Sequence, residues 1–222
     1  GGDKCVIILP GRCESLMYSY YFAAPYEKMG MNVLVIDARA HGNSDGKYST
    51  LGVKESEDVR VWIDLLEREY GINEVWFHGI CVGSASAILI MSSENCPESV
   101  KGLVTEGCFV SFRETFKRHM MDIKKPCFPV LDLVMLNVKK FGKADVYKAA
   151  PILHMGKIKK SVLMIYGTKD IFSIPKLSQK LFDKCGSEDK EIKWFDKGGH
   201  SHLRINNVEE YDKVITDFVS AR

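Results

Sequence analysis

The sequence lacks a strong excess of charge of either sign, a long uninterrupted apolar run and a signal segment. Its 222 residues carry a formal net charge of +2, whereas nucleic-acid-binding proteins usually show a strongly basic face or stripe. No apolar run reaches the length that a membrane-spanning helix needs. We therefore expect neither a nucleic-acid partner nor a membrane span.

The cysteine pattern excludes two further classes of protein. Seven cysteines are spread along the chain without C-x-x-C spacing and without a zinc-type cluster of Cys and His. An odd number of scattered thiols is typical of a reducing compartment rather than of a disulfide framework. The pattern predicts a cytoplasmic protein with no metal site, and nothing in the sequence indicates an organic cofactor.

Short runs rich in Val and Ile alternate with amphipathic stretches of helix length. This alternation is typical of an α/β protein whose parallel strands are covered on both faces by crossover helices. We expect a mostly parallel sheet of about six strands flanked by helices. The predicted strands are Cys5 to Leu9, Asn32 to Ile36, Glu74 to His78, Val100 to Thr105, Ser161 to Tyr166 and Glu191 to Phe195. The predicted helices are Ser15 to Met29, Leu51 to Tyr70, Val82 to Ser92, Ile174 to Lys184 and Asn207 to Ala221.

One stretch breaks this rhythm. Residues 109–160 contain helical pattern and three prolines but no convincing strand, so we expect residues 1–108 and 161–222 to form one core and 109–160 a helical insertion. Between 113 and 160 the chain has twelve basic and four acidic side chains. This excess of positive charge indicates either a solvated outer face or a surface that attracts an anionic substrate.

Residues 74 to 92 predict a strand, a sharp turn and a helix of small residues. Cys81 stands at the centre of the turn, with Gly79 two residues before it and Gly83 two residues after it. A tight strand-to-helix turn tolerates only small side chains at these flanking positions, and the helix N-terminus favours a thiolate there. The segment resembles the G-x-S-x-G nucleophile elbow of the α/β-hydrolase superfamily, with cysteine in place of serine as in dienelactone hydrolases. A buried structural cysteine is the alternative.

A second segment extends the resemblance. The run from Asp37 to Asp58 includes Arg39, His41 and Glu55, and it is similar to the D-x-R-x-H-G-x-S-x-G…T-x-G-x-x-E-x-x-D pattern of serine-aminopeptidase-like and monoglyceride-lipase-like hydrolases. The resemblance implies an α/β-hydrolase fold with a helical cap formed by 109–160, and it implies a scaffold role for Arg39 and His41. It covers nearly all of residues 5–220, although the N-terminal strands that such proteins carry are absent.

The resemblance also implies an acid and a base, in the chain order nucleophile, acid, base. Asp170 follows the strand that ends at Tyr166, and His200 follows Gly198-Gly199 after the last strand. Glu106 is the competing acid, because some branches of the superfamily carry the acid after the preceding strand. His202 is the alternative base, but the two glycines favour His200.

An oxyanion hole needs two backbone N–H donors. Val82 is the expected first donor, and Arg12 is the second, with Cys13 as its alternative. Family members usually have His-Gly in this loop, whereas this chain has Pro10-Gly11.

The combined pattern implies a hydrolase of carboxylic esters or thioesters that acts through an acyl-enzyme on Cys81. An acyltransferase with the same intermediate and a non-catalytic binding protein of the same fold are the alternatives, and a fourth possibility is that Cys81 replaces a natural serine. We expect a small-molecule acyl ester or thioester as substrate. An exposed sheet edge would favour a homodimer.

Overall fold

The computed structural model describes residues 2–201 and 203–222. Its centre is a six-stranded sheet in which every described pairing is parallel and the strand order is β2-β1-β3-β4-β5-β6. The strands are β1 Lys4–Leu9, β2 Asn32–Val35, β3 Glu74–Ile80, β4 Val100–Glu106, β5 Ser161–Gly167 and β6 Lys190–Phe195. This arrangement, with helices on both faces, confirms the predicted α/β-hydrolase fold.

The helices connect and cover the strands. They are α1 Leu16–Tyr20, α2 Ala24–Lys28, α3 Val53–Tyr70, α4 Val82–Met91, α5 Phe112–Asp122, α6 Val130–Gly142, α7 Pro151–His154, α8 Pro175–Lys184, α9 Leu203–Asn206 and α10 Val208–Ser220. No helix within the two described ranges is long and apolar enough to cross a membrane.

The first predicted helix is the largest departure from expectation. Ser15 to Met29 was expected as one helix, but α1 and α2 are separate short helices. Pro25 lies in the first turn of α2 and has no N–H to donate to the preceding turn, so a continuous helix would lose that hydrogen bond. The other predicted strands and helices agree with the observed elements to within a few residues.

Two apolar layers pack on the sheet because successive side chains of each strand point to opposite faces. Val6 and Ile8 of β1 pack in one layer with α2 and α10, whereas Ile7 and Leu9 pack in the other with α3, α4 and α8. From β1 the chain first adds β2 on one side and then β3 on the other side, so the direction in which strands are added reverses at β1. The carboxyl ends of β1 and β3 therefore meet at a topological switch point, where α/β sheets commonly bind ligands.

Residues 109–160, which we call the cap segment, run between β4 and β5. Within this segment the structure has α5, α6, α7 and a short 3₁₀ helix at Met155–Lys157. Leu131 and Met135 of α6 are buried and belong to the same apolar cluster as Cys81 and Val82. The inner side of α6 thus packs toward the carboxyl end of β3.

Candidate active site

Cys81 lies in a strained turn between β3 and α4. Its φ is 49° and its ψ is −102°, a backbone conformation that few residues with a side chain adopt. A Cβ on Gly79 would lie 2.6 Å from the Cα of Ser84, and a Cβ on Gly83 would lie 2.1 Å from the carbonyl oxygen of Leu9. Both flanking positions therefore require glycine, for the steric reason that the sequence suggested.

The turn is anchored by backbone hydrogen bonds. The N–H of Cys81 donates to the carbonyl oxygen of Glu106 at 2.9 Å, which ties the turn to the end of β4. Val82 is the first residue of α4, so its N–H has no partner within the helix. The thiol therefore lies at the positive end of the helix dipole. Cys81 is 9% exposed, so solvent reaches only a small part of it.

Asp170 and His200 come together although thirty positions separate them. His200 Nδ1 lies 2.8 Å from Asp170 Oδ2. The other carboxylate oxygen of Asp170 accepts hydrogen bonds from the N–H groups of Phe172 at 2.8 Å and Ser173 at 2.9 Å. Two backbone donors thus fix the carboxylate, and the carboxylate fixes the ring.

The thiol of Cys81 is a hydrogen-bond partner of the same imidazole ring. Burial disfavours the charged ring, but the hydrogen bonds to Asp170 and Cys81 outweigh burial and raise the pKa of His200 to about 10. Because Nδ1 is bonded to Asp170, Nε2 is the nitrogen that can exchange a proton with the thiol. The three side chains are therefore arranged so that a proton can pass between sulfur and imidazole. His202, the alternative base, lies outside the described residues.

The β1–α1 loop lies beside the thiol at the switch point. The N–H of Gly11 donates to Glu14 Oε2 at 2.6 Å, and the N–H of Cys13 donates to His41 Nε2 at 3.4 Å. No acceptor for the N–H of Arg12 is found in the described part of the chain. Of the two donors considered for this loop, Cys13 is thus already engaged.

Glu106, the competing acid, is fully buried at the end of β4. Its carboxyl accepts hydrogen bonds from the Tyr211 hydroxyl at 2.5 Å and from the N–H of Leu203 at 3.4 Å. Burial raises the pKa of Glu106 to about 7, even though these two hydrogen bonds lower it. The His200 ring is bonded to the Asp170 carboxylate, whereas the Glu106 carboxyl is bonded to Tyr211 and Leu203. The two carboxyl groups therefore have different partners.

Sequence reasoning missed the buried polar network that continues from Glu106. His78 of β3 is fully buried, and its two ring nitrogens lie 2.9 Å from the Tyr26 hydroxyl and 3.4 Å from the Tyr211 hydroxyl. Burial and the charge of Arg204 lower the pKa of His78 to about 3, so its ring is neutral. No local motif marks this network, because its members come from separate elements.

Gly107 is a second residue that the sequence analysis overlooked. A Cβ at this position would lie 3.0 Å from Cε1 of His200, and the φ of Gly107 is +62°. Its carbonyl oxygen accepts a hydrogen bond from the Ser173 hydroxyl at 2.7 Å. The glycine directly after Glu106 was the available signal, since a glycine at the end of a strand often marks close approach of another group.

Arg39 and His41 shape the rim of a cavity of about 510 Å³. The Arg39 guanidinium is bonded to the Asp58 carboxylate at 2.7 Å and 2.5 Å, and His41 Nδ1 lies 3.0 Å from the carbonyl oxygen of Arg39. The cavity is bounded by the β1–α1 loop, the segment after β2, α3 and the start of α4. It extends from the loop beside the thiol, and its lining includes Val82 and Gly83, the two residues that follow Cys81.

No cluster of three or more His, Cys, Asp or Glu side chains suited to a metal ion is found in residues 2–201 and 203–222.

Solved structures share this fold over the whole chain. An esterase from Pyrococcus furiosus, Pf2001, superposes with a TM-score of 0.79 at 23% sequence identity and covers 100% of this chain and 83% of its own. A monoacylglycerol lipase from Paleococcus ferrophilus superposes with a TM-score of 0.71 at 22% identity and covers 98% of this chain and 95% of its own.

Curated sequences include further relatives. The uncharacterized protein YqkD of Bacillus subtilis is 24% identical over 216 residues, which are 96% of this chain and 70% of that protein. Protein bem46 of Schizosaccharomyces pombe is 25% identical over 196 residues, which are 88% of this chain and 60% of that protein. The chain therefore spans only part of the length of these relatives.

A family assignment comes from the sequence profile of Hydrolase_4, serine aminopeptidase, S33, which matches residues 2–150. The match contains β1 to β4, the Cys81 turn and the Arg39–Asp58 pair. The chain is thus a member of the serine aminopeptidase S33 family of α/β-hydrolases.

Proposed function

We propose that the chain hydrolyses carboxylic ester or thioester bonds, with Cys81 as nucleophile, His200 as general base and Asp170 as the acid that orients the base. The observation that carries the proposal is the hydrogen-bonded series from the Asp170 carboxylate through the His200 ring to the Cys81 thiol. A nucleophile, a base and an orienting group in that order are what acyl transfer requires. The esterase and the lipase of similar fold favour an ester as the substrate.

In the reactive form the proton of the Cys81 thiol would reside on Nε2 of His200, as the raised pKa of the ring favours. The thiolate then attacks the carbonyl carbon, and the carbonyl electron pair becomes an oxyanion. We assign the N–H groups of Val82 and Arg12 to that oxyanion, because the first heads α4 and the second lies between two engaged donors of the neighbouring loop. Collapse of the adduct expels the alcohol or thiol, which takes the proton from His200.

Release of the acyl group would repeat these steps with water as the attacking nucleophile. His200 removes a proton from a water molecule, the resulting hydroxide attacks the thioester carbonyl, and the Cys81 sulfur leaves as a thiolate that regains the proton. A thiolate is a good leaving group, so adducts with poor leaving groups tend to revert. Activated esters, lactones and thioesters are therefore better suited to this site than amides.

We also propose that the cap segment covers the acyl group during the reaction. Support comes from the packing of Leu131 and Met135 in one cluster with Cys81. An apolar inner surface of this kind suits a hydrophobic acyl chain.

Intact-protein mass spectrometry after brief treatment with short-chain p-nitrophenyl esters and acyl thioesters tests the assignment. We expect an acyl adduct that maps to Cys81, together with hydrolysis that falls by a factor on the order of 10³ in Cys81→Ala. Because Cys13 is exposed, its reaction must be separated from that of Cys81 by peptide mapping. Equal turnover in Cys81→Ala would overturn the proposal.

Two further measurements separate related activities. Added alcohols, amines or thiols would divert the acyl group from water if the chain were an acyltransferase. Cys81→Ser would be much faster than the present protein if the site were built for serine.

A further inference from the structure

The outer side of the cap segment exposes large apolar side chains over a short stretch of sequence. Phe128 in the α5–α6 connection is 79% exposed, and Leu136 on α6 is 58% exposed. We define the apolar cap face by six side chains, Met121, Ile123, Phe128, Leu133, Leu136 and Phe141. A concentration of this kind on a soluble surface usually marks a contact with a protein, a lipid or a ligand.

Helix α6 is apolar on two opposite sides. Leu131 and Met135 are buried against the core, whereas Leu133 and Leu136 point outward. A helix that only covers a core has one apolar side and one polar side. Packing against the core accounts for the inner side of α6, whereas the apolar side chains of its outer side are left exposed.

Exposed positive charge occurs in the same stretch of the chain as the apolar cap face. Five exposed lysines lie in the same stretch, namely Lys124, Lys125, Lys139, Lys140 and Lys143. The acidic residues between 121 and 145 are Asp122, Asp132 and Asp145; Asp132 is bonded to Arg113 at 3.3 Å, and Asp145 is bonded to Lys139 at 3.4 Å. Apolar side chains among lysines are the composition that binds at the headgroup region of anionic membranes.

We propose that the apolar cap face docks on a membrane surface that contains anionic lipids. The apolar side chains enter the boundary between headgroups and acyl chains, and the lysines pair with headgroup phosphates. A two-fold contact between two copies of the face is disfavoured, because it would bring the same lysines together. The docking does not depend on the chemistry at Cys81, so its test does not measure catalysis.

Co-sedimentation with large unilamellar vesicles tests the docking. We expect the whole chain to sediment with vesicles of phosphatidylcholine and phosphatidylglycerol in equal amounts, and to stay in solution with phosphatidylcholine alone. Phe128→Ser combined with Leu133→Ser should weaken the partitioning by about tenfold or more. Lys124→Glu combined with Lys125→Glu should also weaken it by about tenfold, and added salt should do the same.

Matched controls lie elsewhere on the surface. Tyr70→Ser with Val208→Ser removes two exposed apolar side chains outside the cap segment, and Lys176→Glu with Lys180→Glu reverses two exposed charges of α8. Both controls should bind vesicles as the parent protein does, and all variants should keep its melting temperature. No sedimentation with anionic vesicles, or equal sedimentation of cap and control variants, would refute the docking. A dimer that Phe128→Ser and Leu133→Ser dissociate, without any vesicle binding, would assign the face to a second copy instead.

Discussion

The protonation of His200 depends on its two polar neighbours. Hydrogen bonds to Asp170 and Cys81 raise its pKa to about 10 against the effect of burial. Protonation of this ring therefore stabilises the folded chain fully below its ordinary pKa of 6.5, and this stabilisation is lost as the pH rises toward 10. The same interactions hold the ring in the orientation that proton transfer needs.

Asp170→Asn should lower the pKa of His200, because the amide carries no negative charge to favour the imidazolium. We expect hydrolysis to fall by a factor on the order of 10³ to 10⁴, since the neutral amide also favours the wrong ring tautomer. Titration of the His200 ring by NMR measures the first effect, and steady-state kinetics measures the second. Asp145→Asn, at an acid of the cap segment, is the control. An unchanged titration of His200, with near-normal turnover, would move the acid assignment to Glu106.

Glu106→Gln should remove a pH dependence of stability. The carboxyl of Glu106 has an ordinary pKa of 4.5 and a folded pKa of about 7, so the protonated form stabilises the fold fully below pH 4.5, and this effect is lost as the pH rises through 7. The shift corresponds to about 3 kcal/mol. Chemical denaturation of both proteins from pH 4.5 to 8 measures the difference in the free energy of unfolding.

The groups that face Glu106 make this prediction specific. Tyr211 and the N–H of Leu203 bond to the carboxyl, and the charges of His200 and Glu14 act on it in opposite directions. Glutamine keeps an acceptor for both donors, so the fold should persist. If the free energy of unfolding of Glu106→Gln and of the parent protein changed with pH in parallel, this would contradict a buried, titrating carboxyl. Glu98→Gln, at an exposed position, is the control and should give a profile parallel to that of the parent protein.

At the scale of the element, the β3–α4 turn is the part of the site that the sequence specifies most fully. Gly79 and Gly83 are required because of contacts within the turn and with β1, and such contacts follow from the strand-turn-helix pattern. Pro25 shows the opposite case. A helical periodicity from Ser15 to Met29 was visible, but periodicity alone does not tell whether a proline starts a new helix or kinks an existing one.

The buried polar network could not be predicted, because its contacts are long-range. Glu106, His78 and Tyr211 come from β4, β3 and α10, and sequence separations of 105 and 133 residues divide Tyr211 from its two partners. His78 and Tyr211 are unremarkable in the sequence, and Glu106 was considered there only as a catalytic acid. Only the packing of α10 on the sheet brings the three side chains together.

Gly83→Ala should prevent the turn from forming. The added Cβ would lie 2.1 Å from the Leu9 carbonyl oxygen, and neither backbone can move away without breaking the packing of α4 on the sheet. We expect a loss of unfolding free energy of roughly 4 kcal/mol or more, or no folded protein. Gly156→Ala is the control, because its nearest backbone atom is at an ordinary contact distance of 3.4 Å. Equal melting temperatures of the two variants would contradict the steric argument.

At the scale of the whole molecule, the buried side chain of Arg204 joins the segment that follows His200 to α10 and to the region between α1 and α2. Arg204 of α9 bonds to Asp212 of α10 at 2.7 Å and 2.9 Å, and it also donates to the carbonyl oxygen of Tyr21 at 2.7 Å. The guanidinium lies over the Tyr21 ring, 4.3 Å from its centroid. The C-terminal helix, the base-bearing loop and the α1–α2 region are thereby held as one unit.

Arg204→Ala should destabilise the whole chain by about 3 to 5 kcal/mol, because it leaves the buried Asp212 carboxylate without its main partner. Combining Arg204→Met with Asp212→Leu removes both charges and should recover most of that loss. Lys213→Ala, which breaks an exposed pair with Asp217, should cost less than about 1 kcal/mol. Thermal and chemical unfolding of the variants measure these differences. The double variant could instead be as unstable as Arg204→Ala. The loss of stability would then reflect the packing of the guanidinium on Tyr21 rather than an uncompensated charge. In that case Arg204→Lys would be equally destabilising.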